Sequence, residues 1–260
     1  MQRFQGKFTV SKSAKIGINV RIGQNAFIHD NVVIGDNSII CENCIIGEPS
    51  DDCYNNKNYV NPQTLIGANS LIRSGSILYA GSQFGEYFQT GNMVSIRENT
   101  VFGKRCVVGT LSDIQGNAAF GDYCRINSHV QVAAGCVFGN FVFIYPFVVF
   151  TNDPHPPSNY LVGVTVGDFS QIAAASVILP GIKIGKQSLI GANSVINKDV
   201  GDFELHSGNP AVKVCSLNFI LSKEKSGSHY PWPYNYDKGL PWEKQNFDEW
   251  AVSEEGRFYV

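Results

Sequence analysis

Apolar residues recur every six positions through most of this chain. Stepping from Val10 gives Ile16, Ile22, Ile28, Ile34, Ile40 and Ile46. The rhythm breaks over residues 47–65, resumes at Ile66, and runs through Ile72, Leu78, Phe84, Thr90, Ile96, Phe102, Val108, Ile114, Phe120, Ile126, Val132, Phe138, Ile144 and Phe150. A second break covers residues 151–165, and Val166, Ile172, Ile178, Ile184, Ile190 and Ile196 complete the series. No helix has this period, and a plain strand has a period of two. A short strand followed by a sharp corner does repeat at six. The anchor then fills an interior, and the small or β-branched residue four positions later (Ala26, Ser38, Ser112, Ser176) fits beside it. Glycine often follows the anchor, as at Gly17, Gly85, Gly103 and Gly185, where it is expected to relieve the backbone at the bend.

Composition excludes several classes. The chain has 260 residues with 20 basic and 22 acidic side chains, so it lacks the basic excess of a nucleic-acid binder. Hydrophobic residues make up 43%, enough for a sizeable core. No apolar run is long enough to cross a membrane, which argues against membrane insertion. The opening segment, residues 1–17, lacks the apolar stretch of a secretory signal, so the expected location is cytoplasmic. Seven cysteines in a reducing compartment do not suggest a disulfide framework. Cys41 and Cys44 have metal-like spacing. However, Cys44, Cys106, Cys124 and Cys136 all fall on the small inward slot, so no metal is expected.

The pattern resembles the hexapeptide-repeat acyltransferases, whose fold is a left-handed parallel β-helix. The resemblance implies an all-β chain in which three hexads form a triangular coil of 18 residues. The 28 hexads then make about nine coils, with the breaks as two protruding loops. It also implies a break with the usual right-handed rule for parallel crossovers. Residues 1–210 would form the helix domain. Residues 211–260, which carry Trp232, Trp242 and Trp250, would form a small C-terminal extension packed on the helix end or on a neighbouring subunit, or else a substrate lid.

In-register stacking makes residues 18 apart neighbours. Ser95, Asp113 and Gln131 each precede an anchor and should form an outward polar ladder with Asp113 as its only carboxylate. Glu98 stands in a column with Gly116 and Ala134, small residues that would leave room for a ligand, and Arg97 beside it could bind a phosphate or pair with Glu98. His129 lies at a corner and His155 in the second loop, and histidine is the natural base near neutral pH.

The stretches FGEYFQTGNMVSIREN, GTLSDIQG, FGDYCRINSHVQV, FVFIYPFVVFTNDPHPPS and HSGNPAVKV are similar to one branch of the family, the nucleotide-sugar N-acyltransferases of surface-polysaccharide pathways. That likeness implies acyl transfer, usually acetyl, from coenzyme A to an amine on a dTDP- or UDP-linked deoxysugar. It implies a homotrimer with sites between subunits. It places coenzyme A along the C-terminal coils, near Ala174, Ala192 and Lys198. The catalytic residues would be Asp113 as base, Glu98 to orient the acceptor, and His129. Arg97, Asn127, Gln131, Asn152, Asp153 and His155 would contact the sugar nucleotide. Tyr54, Asn55 and Tyr59 of the first insertion would close over the base. Relatives carry histidine where this chain has Asn127, Gln131 or Ala134, so the carboxylate takes the base role here. The alternatives are an O-acetyltransferase acting on a sugar hydroxyl, which needs a stronger base, and a non-catalytic structural β-helix.

Overall fold

The computed structural model describes residues 6–221 and 229–260. Residues 1–5 of the opening segment and 222–228 of the tail lie outside it. The chain is a left-handed parallel β-helix, an all-β prism with three faces. Face 1 holds ten strands, from Thr9–Val10 to Val195–Ile196. Face 2 holds nine, from Lys15–Ile16 to Lys183–Ile184. Face 3 begins at Arg21–Ile22 and holds eleven, two more than the coil count anticipates. Its last two members are Glu204–Gly208, which adds in parallel, and Ala211–Ser216, which folds back antiparallel. That hairpin spans the expected division at residue 210.

Registers follow the 18-residue arithmetic. Ser95 pairs with Asp113, Asp113 with Gln131, and Gln131 with Val149. The anchors from Ile22 onward are buried, as are the small slot residues Ala26, Ser38, Ser112 and Ser176. Face 2 lines its interior with Phe84, Phe102, Phe120 and Phe138, and the last three rings stack at 4.2 and 4.5 Å. Cys44, Cys106, Cys124 and Cys136 occupy the inward slot, fully buried. Burial pushes the Cys44 thiol up to about 11, so it stays protonated and packs as a small apolar group.

The bend is made differently from the expectation. The left-handed backbone falls three residues after the anchor, as at Asn25 (φ 58°), Asn99 (φ 56°) and Phe141 (φ 56°). Asparagine tolerates this conformation better than other non-glycine residues. The glycine immediately after the anchor serves packing. All nine face 2 anchors are followed by glycine, forming a column along the 2/3 edge. A Cβ on Gly85 would lie 2.6 Å from the backbone of Gly103 and Lys104 in the next coil.

The tail lies along the side of the prism, not on its end. Trp232, Trp242, Phe247 and Trp250 form a second core with Tyr123, Phe141 and Phe169 of the 2/3 edge. Trp232 Nε1 donates to the Phe169 carbonyl at 2.8 Å, and Lys104 pairs with Glu255 at 2.8 Å.

These two roles of glycine separate by mutation. Gly85→Ala should cost about 2–3 kcal/mol through overpacking. Gly135 has φ +85°, and a Cβ there would meet nothing closer than 3.7 Å, so Gly135→Asn should cost less than about 1 kcal/mol. Chemical denaturation of both variants checks this, and equal losses would contradict it.

Candidate functional site

Ser95, Asp113 and Gln131 stand on the outer side of face 1, one coil apart. Asp113 is half-buried, and no side-chain hydrogen bond engages its carboxylate among the described residues. An acceptor with no committed partner is free for a ligand proton.

The other expected site residues fall on the two edges of this face. On the 3/1 edge, His129 is exposed, takes φ 61°, and stacks on Phe147 at 4.9 Å. Asn127 donates from Nδ2 to the Ile144 carbonyl at 2.9 Å. Ala174 and Ala192 lie on the same edge in successive coils, tied by Asn193 N donating to the Ala174 carbonyl. Lys198 is a hexad beyond Ala192 and so turns the next edge. The structure therefore does not bring the three expected coenzyme contacts together on one edge.

The 1/2 edge carries Arg97, Glu98, Asn152 and Lys198. Arg97 grips Glu98 through Nε at 2.8 Å and NH2 at 3.1 Å. Of the two roles open to Arg97, the pair with Glu98 is the one formed. Burial pushes the Glu98 carboxyl up, but the Arg97 hydrogen bond, a backbone hydrogen bond and the Arg97 charge together outweigh it and hold the group below its ordinary value. Glu98 is thus an ionised, fixed carboxylate. The Arg97 guanidinium also lies 4.9 Å from the Tyr79 ring centre and 4.0 Å from Asp51 of the first insertion.

Gly116 and Ala134 follow Glu98 along the edge, and Asn152 then donates to the Ala134 carbonyl at 3.1 Å. Asp153 spends both oxygens inside its own loop, accepting from His155 N, Ser158 N and Ser158 Oγ. The Ser158 bond holds its carboxyl low. His155 is exposed. In the first insertion Tyr59 Oη bonds to Ser50 and Asn61, bracing the loop from within, while Tyr54 and Asn55 are exposed.

Both insertions leave from the 1/2 edge. The first follows the strand Ile45–Glu48 and returns at Thr64–Ile66, and the second follows Val149–Phe150 and returns at Thr165–Val166. Sequence reasoning missed this, although the signal was present: seven hexads precede the first break and fifteen separate the two, so both breaks fall after the same face. It also missed the Tyr79 platform, and a cluster near Lys198. There Glu204 accepts from Lys213 at 2.6 Å and bonds His206 at 2.8 Å, beside a cavity of about 290 Å³ lined by Lys198, His206 and Lys213. Among the described residues, no three His, Cys, Asp or Glu side chains form a metal-binding group.

Residues 13–48 and 163–198 match the family described as bacterial transferase hexapeptide (six repeats), and the chain carries that repeat. It is 34% identical over 97 residues to a Saccharomyces cerevisiae protein named "Putative acetyltransferase YJL218W", covering 34% of this chain and 48% of that one. It is 38% identical over 47 residues to galactoside O-acetyltransferase of Lactococcus lactis, covering 18% of this chain and 23% of that enzyme. The chain thus spans half or less of the length of these curated relatives. Arabidopsis UDP-N-acetylglucosamine acyltransferase superposes with a TM-score of 0.59 at 16% identity, over 97% of this chain and 90% of that one. This likeness establishes the shared fold.

Lys213 first, and His206 second, hold the Glu204 carboxyl down to about 2. Its stabilisation is complete above the unfolded value near 4.5 and is lost as pH falls towards 2. Denaturation of Glu204→Gln across that window should show a flatter acid dependence than the unaltered chain. Parallel curves would remove the linkage.

Proposed function

We propose that this protein is an acyl-CoA-dependent acyltransferase, with acetyl-CoA as donor and the amino group of a dTDP- or UDP-linked amino-deoxysugar as acceptor. Its place would be in surface-polysaccharide biosynthesis. The observation that carries this reading is the face 1 ladder, where Asp113 is the one carboxylate and is free to accept. The transferase repeat in the sequence supports the reaction class.

The amine nitrogen attacks the thioester carbonyl carbon, the C–S bond breaks, and coenzyme A leaves as its thiol. Asp113 takes the proton that the amine sheds, and that proton passes to the departing sulfur. Positioning supplies much of the rate. Glu98, held ionised by Arg97, orients the acceptor. Asn152, Gln131 and Asn127 offer amide contacts from the face and its two edges, and Asp153 and His155 present the second insertion beside them. Backbone groups at Ala174 and Ala192 suit the amides of pantetheine, and Lys198 suits a phosphate.

A homotrimer accommodates this split between edges, because a neighbouring copy can bring its own edge to face 1. Met93, Leu111 and Phe147 leave an apolar ridge on the 3/1 edge, 61%, 45% and 59% exposed, where such a copy would pack. A cytoplasmic location follows from the proposed substrates.

A hydroxyl acceptor is the second reading, favoured by the Lactococcus relative's name. It needs a base, and His129 has no side-chain hydrogen bond among the described residues. Thiol release with acetyl-CoA and a panel of amino sugars separates the two readings. Release should depend on one amino sugar, and Asp113→Asn should lower kcat by about a hundredfold. Unchanged turnover would remove Asp113 as base. Release with hydroxyl acceptors alone, abolished in His129→Ala, would establish the second reading.

A further inference from the structure

A cavity of about 490 Å³ lies between face 3 and the C-terminal extension, outside the ladder and the two insertions. Its size suits a small ligand. Phe143 and Tyr145 of the prism line one side, and Trp232 and Tyr236 of the extension line the other. Ring contacts fix three of them, Phe143, Trp232 and Tyr236. Phe143 meets Trp232 at 4.9 Å and 64°, and Tyr236 at 5.8 Å and 88°.

Three amides also line it, Gln171, Asn127 and Asn235, the last with its Nδ2 spent on the His229 carbonyl at 2.8 Å. Gln171 is only 9% exposed. Its Oε1 accepts from Tyr230 Oη at 3.4 Å, and its Nε2 has no partner among the described residues. Gln171 lines the cavity, so that donor is available to a ligand acceptor. Asn127 has committed its Nδ2 to the Ile144 carbonyl, so its Oδ1 remains as an acceptor.

At the cavity wall the Arg125 guanidinium is held by Tyr236 Oη at 2.8 Å and the Lys238 carbonyl at 2.6 Å. Both partners are neutral, and among the described residues no carboxylate lines the cavity, so the positive charge is not cancelled there. Aromatic walls, a free amide donor, free amide acceptors and a fixed cation together match a flat heteroaromatic ring that carries phosphate.

We propose that this cavity is a nucleotide site. The base packs among Tyr145, Phe143 and Trp232, hydrogen-bonds to Gln171 and Asn127, and directs its phosphate towards Arg125. The site stands on these contacts alone. Its link to acyl transfer rests on the function proposed above, under which two substrates carry a nucleotide: the amino sugar a pyrimidine, and coenzyme A an adenosine 3′,5′-bisphosphate.

Calorimetric titration of the full chain with UDP, dTDP and 3′,5′-ADP, each alone, tests the proposal and distinguishes the sources. One class should bind saturably. Gln171→Leu, which removes the free donor, and Tyr145→Ala, which removes a partly exposed ring, should each weaken it by roughly tenfold without shifting the thermal midpoint by more than a few degrees. No binding by any of the three, or binding by both variants as tight as by the unaltered chain, would overturn the site. Acyl transfer with unchanged KM for both substrates in both variants would remove the site and leave the activity standing. Variant-sensitive binding without transfer to any amino sugar would keep the site and remove the activity.

Discussion

Every feature of this molecule depends on one constraint, the hydrogen-bonded register between coils. Most strands are only two or three residues long, and within the coils each binds the next through parallel backbone bonds such as Asp113 N to the Val130 carbonyl and Val149 N to the Ser176 carbonyl. A register slip of one residue would turn every anchor outward. Register survives only if all coils turn at the same places. The left-handed residue three after most anchors sets the turn, and the glycine column on the 2/3 edge lets successive coils close to backbone contact. The positions of Asp113, Glu98 and Asn127 follow from that frame, since a residue's place in its hexad fixes its face and its coil.

The turn conformation also explains where other parts of the chain attach. Asparagine and glycine accept a positive φ at little cost, while a bulky residue there is strained. On the 2/3 edge the bulky residues Tyr123, Phe141 and Phe169 take that conformation, and the C-terminal extension covers them. Packing offsets the strain. On the 3/1 edge Met93, Leu111, His129 and Phe147 take the same conformation and remain uncovered within one chain. The first edge carries the nucleotide cavity's second wall, and the other edge borders the ladder. Under the proposed function, the extension supplies a binding wall and a second copy covers the bare ridge.

Much of this was legible in the sequence because a period-six repeat turns numbering into geometry. The Ser95–Asp113–Gln131 ladder and the inward cysteines needed only arithmetic. The cause of the glycine preference was not legible, because a clash with the next coil and relief of a bend place glycine at the same position. The tail was not legible either: Trp232 meets Phe169 and Tyr259 meets Asp122 across long, non-periodic separations. Arg97 and Glu98 were adjacent in the sequence, yet their pairing depended on side-chain rotation around a corner. The unpaired amide of Gln171 likewise emerges only once Tyr230 and Trp232 have folded against face 3.

The bond formed on the acceptor tests the account most directly. Incubation of the protein with acetyl-CoA and a nucleotide-linked amino sugar, followed by mass spectrometry and NMR of the isolated product, identifies the atom that receives the acyl group. The account predicts an amide on the sugar nitrogen. An ester on a ring hydroxyl, or no acylated nucleotide sugar with any acyl donor, would contradict it.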